Sequence, residues 1–163
     1  MACRGVLFAI SDSDLSKLRG SKNDDELLTV VEEIEERWEE QWLYQLDKAW
    51  DVIHRSITDG RIGFTNGTYP LSHCILGGEL LHKGDNYIVS LKTASQATEI
   101  AAALRGVTAS IFQEKYELID PQDYGLNHSQ EDLEYSWNYF DGIADFYVRA
   151  AAANRHVIFT VDQ

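Results

Sequence analysis

Cysteine is scarce: Cys3 and Cys74 are the two in 163 residues. Two thiols without a Cys-x-x-Cys spacing exclude a disulfide scaffold and a structural zinc site, and both are expected to be free and partly buried. No run of about 18 apolar residues is present, which excludes a membrane-spanning helix. The opening stretch, Met1 to Ile10, has one Arg, a short apolar run and no small-residue cleavage site, so it does not read as a signal peptide. The chain is placed in the cytoplasm. Positive charge is also short, with 14 Lys plus Arg against 27 Asp plus Glu and a formal net charge of -13. Phosphate backbones and anionic membranes are repelled by such a chain, so neither nucleic acid nor membrane is expected as a partner. Missing too are GxGxxG, a Gly-Lys-Ser loop and HExxH, and no cofactor or metal is expected. No repeat, low-complexity tract or linker divides residues 1–163, which read as one domain.

What is present is core-forming material. Hydrophobic residues make up 44% of the chain, including four Trp, eight Tyr and six Phe, and a chain of this size buries roughly 70% of its unfolded surface. Val6 to Ile10 is β-prone, and Ser11-Asp12-Ser13-Asp14 caps a helix to Arg19. From Asp24, Leu27, Val31, Ile34 and Trp38 repeat at helical spacing amid glutamates. Leu46, Trp50, Ile53 and Ile57 form the next stripe, with Asp47 as N-cap and Asp59-Gly60 as its end. Arg61 to Tyr69 reads as a loop with a tight hairpin at Asn66-Gly67, pinned by Phe64 and Tyr69. Pro70 to Leu76 predicts one or two helical turns stopped by Gly77-Gly78, and Tyr87 to Leu91 a strand.

Thr93 and Gln96 form a capping box for a helix through Leu104, and Thr108 caps another that Asp120-Pro121 breaks. Ser129 and Asp132 open the longest helix, which runs through Leu133, Trp137, Phe140, Ala144 and Tyr147 to Ala153, and Asn154 makes a left-handed exit. His156 to Val161 is a closing strand suited to pair with the opening one. The expectation is an α+β fold: a small mixed or antiparallel sheet including both terminal strands, packed with about five to six helices.

Three groups bear chemistry. At 100° per residue, His54 falls about 40° from Trp50 and about 20° from Asp47 on one helix, with Asp51 about 60° further round. Asp47, Asp51 and His54 read as a partial metal site or as a carboxylate orienting a histidine base, or else as a cap, a solvated acid and a core-boundary histidine. His73-Cys74 invites an activated thiol, but adjacent side chains diverge, so Cys74 reads as a buried hydrophobe. Asp24 to Glu40 is an acidic run containing one arginine, Arg37, which reads as a solvated face, or as a field that steers a basic partner or imitates nucleic acid to a nuclease.

The segments Leu46-Asp47-Lys48-Ala49-Trp50 with His54, Pro70-Leu71 leading to Ile75-Leu76-Gly77-Gly78, and the closing aromatic helix with Val157-Ile158-Phe159 resemble the YfbM-like bacterial family of unknown function, nearly end to end. The resemblance implies a compact α+β domain and brings no activity, substrate or cofactor. It implies a pocket at Asp47, Trp50 and His54, with Leu71, Gly77 and Gly78 as the opposing wall. Asp123-Tyr124-Gly125 departs from the expected Ile-Tyr-Pro-like turn.

Function is therefore expected to be non-catalytic binding of a protein or small ligand, in the manner of an acidic inhibitor or immunity-type protein for a basic partner. Candidate ligand-binding residues are Trp50, Asp51, His54, Tyr69, Leu71, His73, Gly77 and Gly78. The alternative is a small hydrolase with His54 as base and Asp47 orienting it, Tyr69 or Trp50 lining the cleft. Nothing in the sequence sets the oligomeric state.

Overall fold

In the computed structural model residues 3–163 are described; Met1 and Ala2, part of the stretch read against a signal peptide, lie outside them. The strands are β1 (Gly5–Ile10), β2 (Leu43–Asp47), β3 (Glu79–Leu80), β4 (Tyr87–Lys92) and β5 (His156–Asp162). They form one antiparallel sheet in the order β2-β1-β5-β4-β3. The two terminal strands pair as expected, Leu7 opposite Phe159 and Phe8 opposite Ile158. Because successive side chains alternate sides, Leu7 and Ala9 face one way and Phe8 and Ile10 the other, and all four are buried. A sheet apolar on both faces needs cover on both.

One face is covered by α1 (Asp12–Gly20) and α2 (Asp24–Arg37), whose Leu15, Leu18, Leu27, Val31 and Ile34 pack on Phe8, Ile10, Val89, Leu91 and Ile158. The other carries α3 (Trp50–Ile57), α4 (Ala94–Leu104), α5 (Ala109–Glu117), α7 (Gln130–Asp141) and α8 (Ile143–Ala152), with a short α6 (Pro121–Tyr124) between α5 and α7. Ile53, Ile100, Phe112, Phe140 and Phe146 meet Leu7, Val157 and Phe159 in this larger core. Each such side chain stabilises by roughly 1.5–3 kcal/mol when fully buried.

The caps at Ser11, Thr108 and Ser129 fall where the sequence places them, their side chains accepting N–H bonds, and Thr93 with Gln96 completes a capping box; Asn23, not singled out in the sequence, caps α2 in the same way. Asn154 makes the left-handed exit at φ 54. Other expectations are corrected. Trp38 does not extend the apolar stripe of α2; it is that helix's left-handed C-cap, at φ 42 and 41% exposed. Leu46 belongs to β2, not to the helix, and Asp47 ends the strand at φ 49 while Ala49 takes the N-cap place. Asn66-Gly67 makes no hairpin, whereas Pro70 does lead into the helical turn expected after it, a 3-10 turn over Leu71–His73. Asp120 and Pro121 begin a helix as well as end one, because Pro fits the first turn where no N–H is needed. The long final helix is broken at Gly142 into α7 and α8.

Candidate functional site

The left-handed turn at Asp47 changes the geometry the sequence suggests. Asp47 leaves the strand end and Trp50 and Asp51 start α3, and the three line one wall of an open cleft of roughly 750 Å³. Trp50 is fixed from several sides: its Nε1 donates to the Cys3 carbonyl at 3.0 Å and its ring packs on Phe159 at 5.6 Å. The indole also lies over Gly5, where a Cβ would stand 2.9 Å from Trp50 Cδ1 and 2.6 Å from Phe159 Cε2.

Tyr124, Leu126, Asp132 and Tyr135 make the facing wall, from α6, its following turn and α7. Tyr135 donates to Asp47 Oδ2 at 3.0 Å, tying the two walls together. Tyr116 and Tyr124 donate to Asp132 at 2.8 and 3.2 Å. Burial first, then the Asp47 carboxylate, pushes the Tyr135 hydroxyl up to about 12, so it stays a donor at neutral pH. Beneath the cleft lies Arg55, 4% exposed, whose guanidinium donates to Asp51 at 2.6 Å and Asp123 at 2.5 Å and sits 5.6 Å from the Tyr124 ring centre. Burial opposes its charge, but Asp51 and Asp123 outweigh that and hold it raised above the ordinary arginine value. The sequence reading missed Arg55 and Tyr135, and took Asp132 only as part of a helix cap and Tyr124 only as part of a turn. An arginine four residues after Asp51 was the available signal for Arg55; nothing local marks Tyr135.

His54 does not join Asp47. It is fully buried, and its Nε2 faces Asn66 Oδ1 at 3.1 Å. The Asn66 amide nitrogen is engaged by Asp59, Arg61 and Thr58, so its oxygen faces the ring and Nε2 carries the proton. Burial lowers the imidazole pKa, with Asn66 and the Gly63 backbone pulling the other way, and Nδ1 completes no hydrogen bond. An enclosed, neutral histidine that holds a loop in place has no path to a substrate, so the His54/Asp47 hydrolase pair is not assembled.

The remaining candidates gather away from the cleft. Tyr69, exposed, meets His73 edge-on at 4.9 Å, and His73 Nδ1 lies 3.0 Å from Ser72 Oγ. Leu71 packs against the larger core. Gly77 and Gly78 are required by close approach: a Cβ on Gly77 would fall on the Ser72 carbonyl, and one on Gly78, at φ 122, on the Leu91 carbonyl. They dock the 71–78 segment on β4 and do not face Trp50's cleft. Cys74 is buried, and burial pushes its thiol up to about 12, as a packing cysteine requires.

Several acids of α2 have structural duties. Asp24 accepts the Lys83 and Gly84 N–H groups, Glu26 that of Lys22, and Glu35 the Tyr87 hydroxyl. Among the described residues no group of three His, Cys, Asp or Glu is placed to hold a metal ion, and no helix is long and apolar enough to cross a membrane.

Fold and cleft together define an α+β domain whose antiparallel sheet is clad on both faces and whose cleft is walled by carboxylates and aromatic rings. Within that class, the chain belongs to the family described as a domain of unknown function, DUF1877, whose model matches residues 1–160. Its structure is similar to that of YfbM from Escherichia coli, a protein of unknown function, with a TM-score of 0.71 at 18% identity over 97% of this chain and 99% of that one. At that identity the likeness is one of fold. No curated protein matches.

Proposed function

We propose that this domain is a non-catalytic binding module that seats a basic segment of a partner protein in the cleft between α3 and α7, as an inhibitor or immunity-type protein does with a cationic target. It works in the cytoplasm, where Cys3 and Cys74 stay reduced. The observation that carries the reading is the convergence of Asp47, Asp51 and Asp132 with Trp50, Tyr124 and Tyr135 on one cleft. Carboxylates attract a cation and aromatic faces stack on it, a pairing that recognises Lys and Arg side chains. The orienting bonds from Tyr135, Arg55 and Tyr124 hold these carboxylates before a ligand arrives, which lowers the ordering cost of association. Arg4 and Lys48 also line the cleft, so three acids stand against two bases there, and the wider charge of -13 adds attraction.

The test is calorimetric titration with an oligo-arginine peptide at low and high salt. Binding is expected at low salt, weakening steeply with added salt, and Asp47→Asn/Asp51→Asn/Asp132→Asn is expected to weaken it at least about tenfold, since charge-assisted hydrogen bonds are worth about 1.5–3 kcal/mol. A peptide that binds the triple variant as tightly as the parent defeats the proposal.

A further inference from the structure

We infer that Asp47 is a guanidinium subsite within the cleft and that Arg4 is its resident competitor, so that an arginine side chain of the partner enters by displacing Arg4. This rests on the cleft being the seat of a basic partner. The two oxygens of Asp47 are unequal. Oδ2 accepts the Tyr135 hydroxyl at 3.0 Å, whereas Oδ1 is closed to solvent and completes no hydrogen bond. What lies against Oδ1 is Arg4 Nε, at 3.3 Å. Arg4 therefore supplies charge to this oxygen without supplying the bond it lacks, and its side chain remains 79% exposed.

A carboxylate oxygen shut away from water with no bonded donor is an unmet demand that a better-placed donor relieves. Guanidinium is the chemistry that fits. Its planar fork presents N–H groups in a fixed geometry matched to a carboxylate, and it stacks on aromatic faces, which Trp50 offers beside Asp47 in the same cleft. Lysine brings a compact and strongly hydrated ammonium, which must shed more water to reach an oxygen that water does not reach. Lys48, on the same wall, repels both cations and does not alter the choice between them.

Arg4 is held only lightly, because its own side chain stays mostly in water and completes no hydrogen bond with Oδ1, so the pair repays little of the side-chain entropy it costs. The β1–β2 register keeps it within reach: Gly5, its neighbour in the chain, is the strand partner of Asp47, and the bulge between Gly5 and Val6 follows at once. A guanidinium is thus already stationed at the subsite, and a ligand must exchange for it.

The experiment titrates isotope-labelled protein with N-acetyl-arginine amide and N-acetyl-lysine amide, following the Trp50 indole N–H and the Asp47 amide by NMR, with the oligo-arginine peptide run alongside. Arginine amide is expected to bind more tightly than lysine amide. Arg4→Ala is expected to tighten arginine binding by up to about fivefold, the factor corresponding to an exposed ion pair of up to about 1 kcal/mol. Asp47→Asn, which keeps an acceptor for Tyr135, is expected to remove the preference for arginine. Equal binding of the two amides, or an Arg4→Ala protein that binds arginine no more tightly than the parent, overturns the inference while leaving the cleft as the seat of the basic peptide. Binding of no cationic probe by either protein at low salt overturns both readings together.

Discussion

The amine of Lys92 sits fully buried at the end of β4, within hydrogen-bond reach of the Ile75 and Ser90 carbonyls and of Ser90 Oγ. Ser90 Oγ in turn lies 2.9 Å from the Leu76 and Gly77 carbonyls, so the group fastens the 71–78 segment to the sheet. Burial pushes the Lys92 pKa down to about 7 from an ordinary 10.5. Between those values the unfolded chain holds a proton that the folded chain has released, so stability rises with pH, by at most about 1.4 kcal/mol per unit. Above pH 9 Cys74 acts with the opposite sign: its raised thiol pKa means that the unfolded chain loses that proton first. His54 and His73, both lowered by burial, act below about 6.5, where unfolding takes up protons. The window from pH 7 to 9 thus belongs to Lys92. Urea unfolding at pH 7, 8 and 9 is expected to show stability rising for the parent and a flat profile for Lys92→Met. The slope is the readout, because the variant also loses donors to two carbonyls. A Lys92→Met protein that keeps the slope would assign it elsewhere.

At the scale of elements, α6 depends on a residue outside itself. It has four residues, too few to stand on its own hydrogen bonds, and Arg55 of α3 fastens it through the side chain and backbone of Asp123. Arg55→Met keeps most of the apolar stem and removes those bonds, together with the ones to Asp51 and to the Gly60 carbonyl. A loss of roughly 1–3 kcal/mol is expected, below the cost of breaking a fully buried pair because Asp123 is half exposed. Amide hydrogen exchange should quicken across 121–126 while β1 and β5 stay protected; uniform quickening would show that Arg55 supports the whole core instead. Caps at Ser11, Thr93, Thr108 and Ser129 were legible because each is a local hydrogen bond between residues three apart. Strand β2 was not, because Leu46 and Trp50 are four apart and continue a helical stripe; a turn through Lys48 and Ala49, opened by the positive φ at Asp47, separates strand from helix. Of the candidate site, Asp47, Trp50 and Asp51 were legible as neighbours in sequence and do share the cleft wall. The facing residues come from far along the chain, through the Tyr135 to Asp47 bond, a pairing across 88 residues that no local pattern encodes.

Taken as a whole, the molecule separates its two acidic features. Helix α2 covers the face of the sheet that carries Phe8 and Ile158, whereas α3 and α7, which wall the cleft, pack on the face that carries Leu7 and Phe159. A segment seated in the cleft is therefore across the sheet from α2, and the exposed Asp25, Glu32 and Glu36 act on it through the long-range field. Such a field accelerates encounter and does little to hold a complex once formed. Its reach is set by salt, about 30 Å at 0.01 M and about 3 Å at 1 M. Asp25→Asn/Glu32→Gln/Glu36→Gln is expected to slow association with the oligo-arginine peptide at 0.01 M salt, to leave it unchanged at 1 M, and to leave dissociation unchanged at both. Asp47→Asn/Asp51→Asn should instead speed dissociation at both, since it removes contacts. Stopped-flow association and dissociation rates across this salt range separate the two. Faster dissociation from the α2 variant at 1 M would mean that the helix touches the partner directly, and that the seat of binding lies on its face of the sheet.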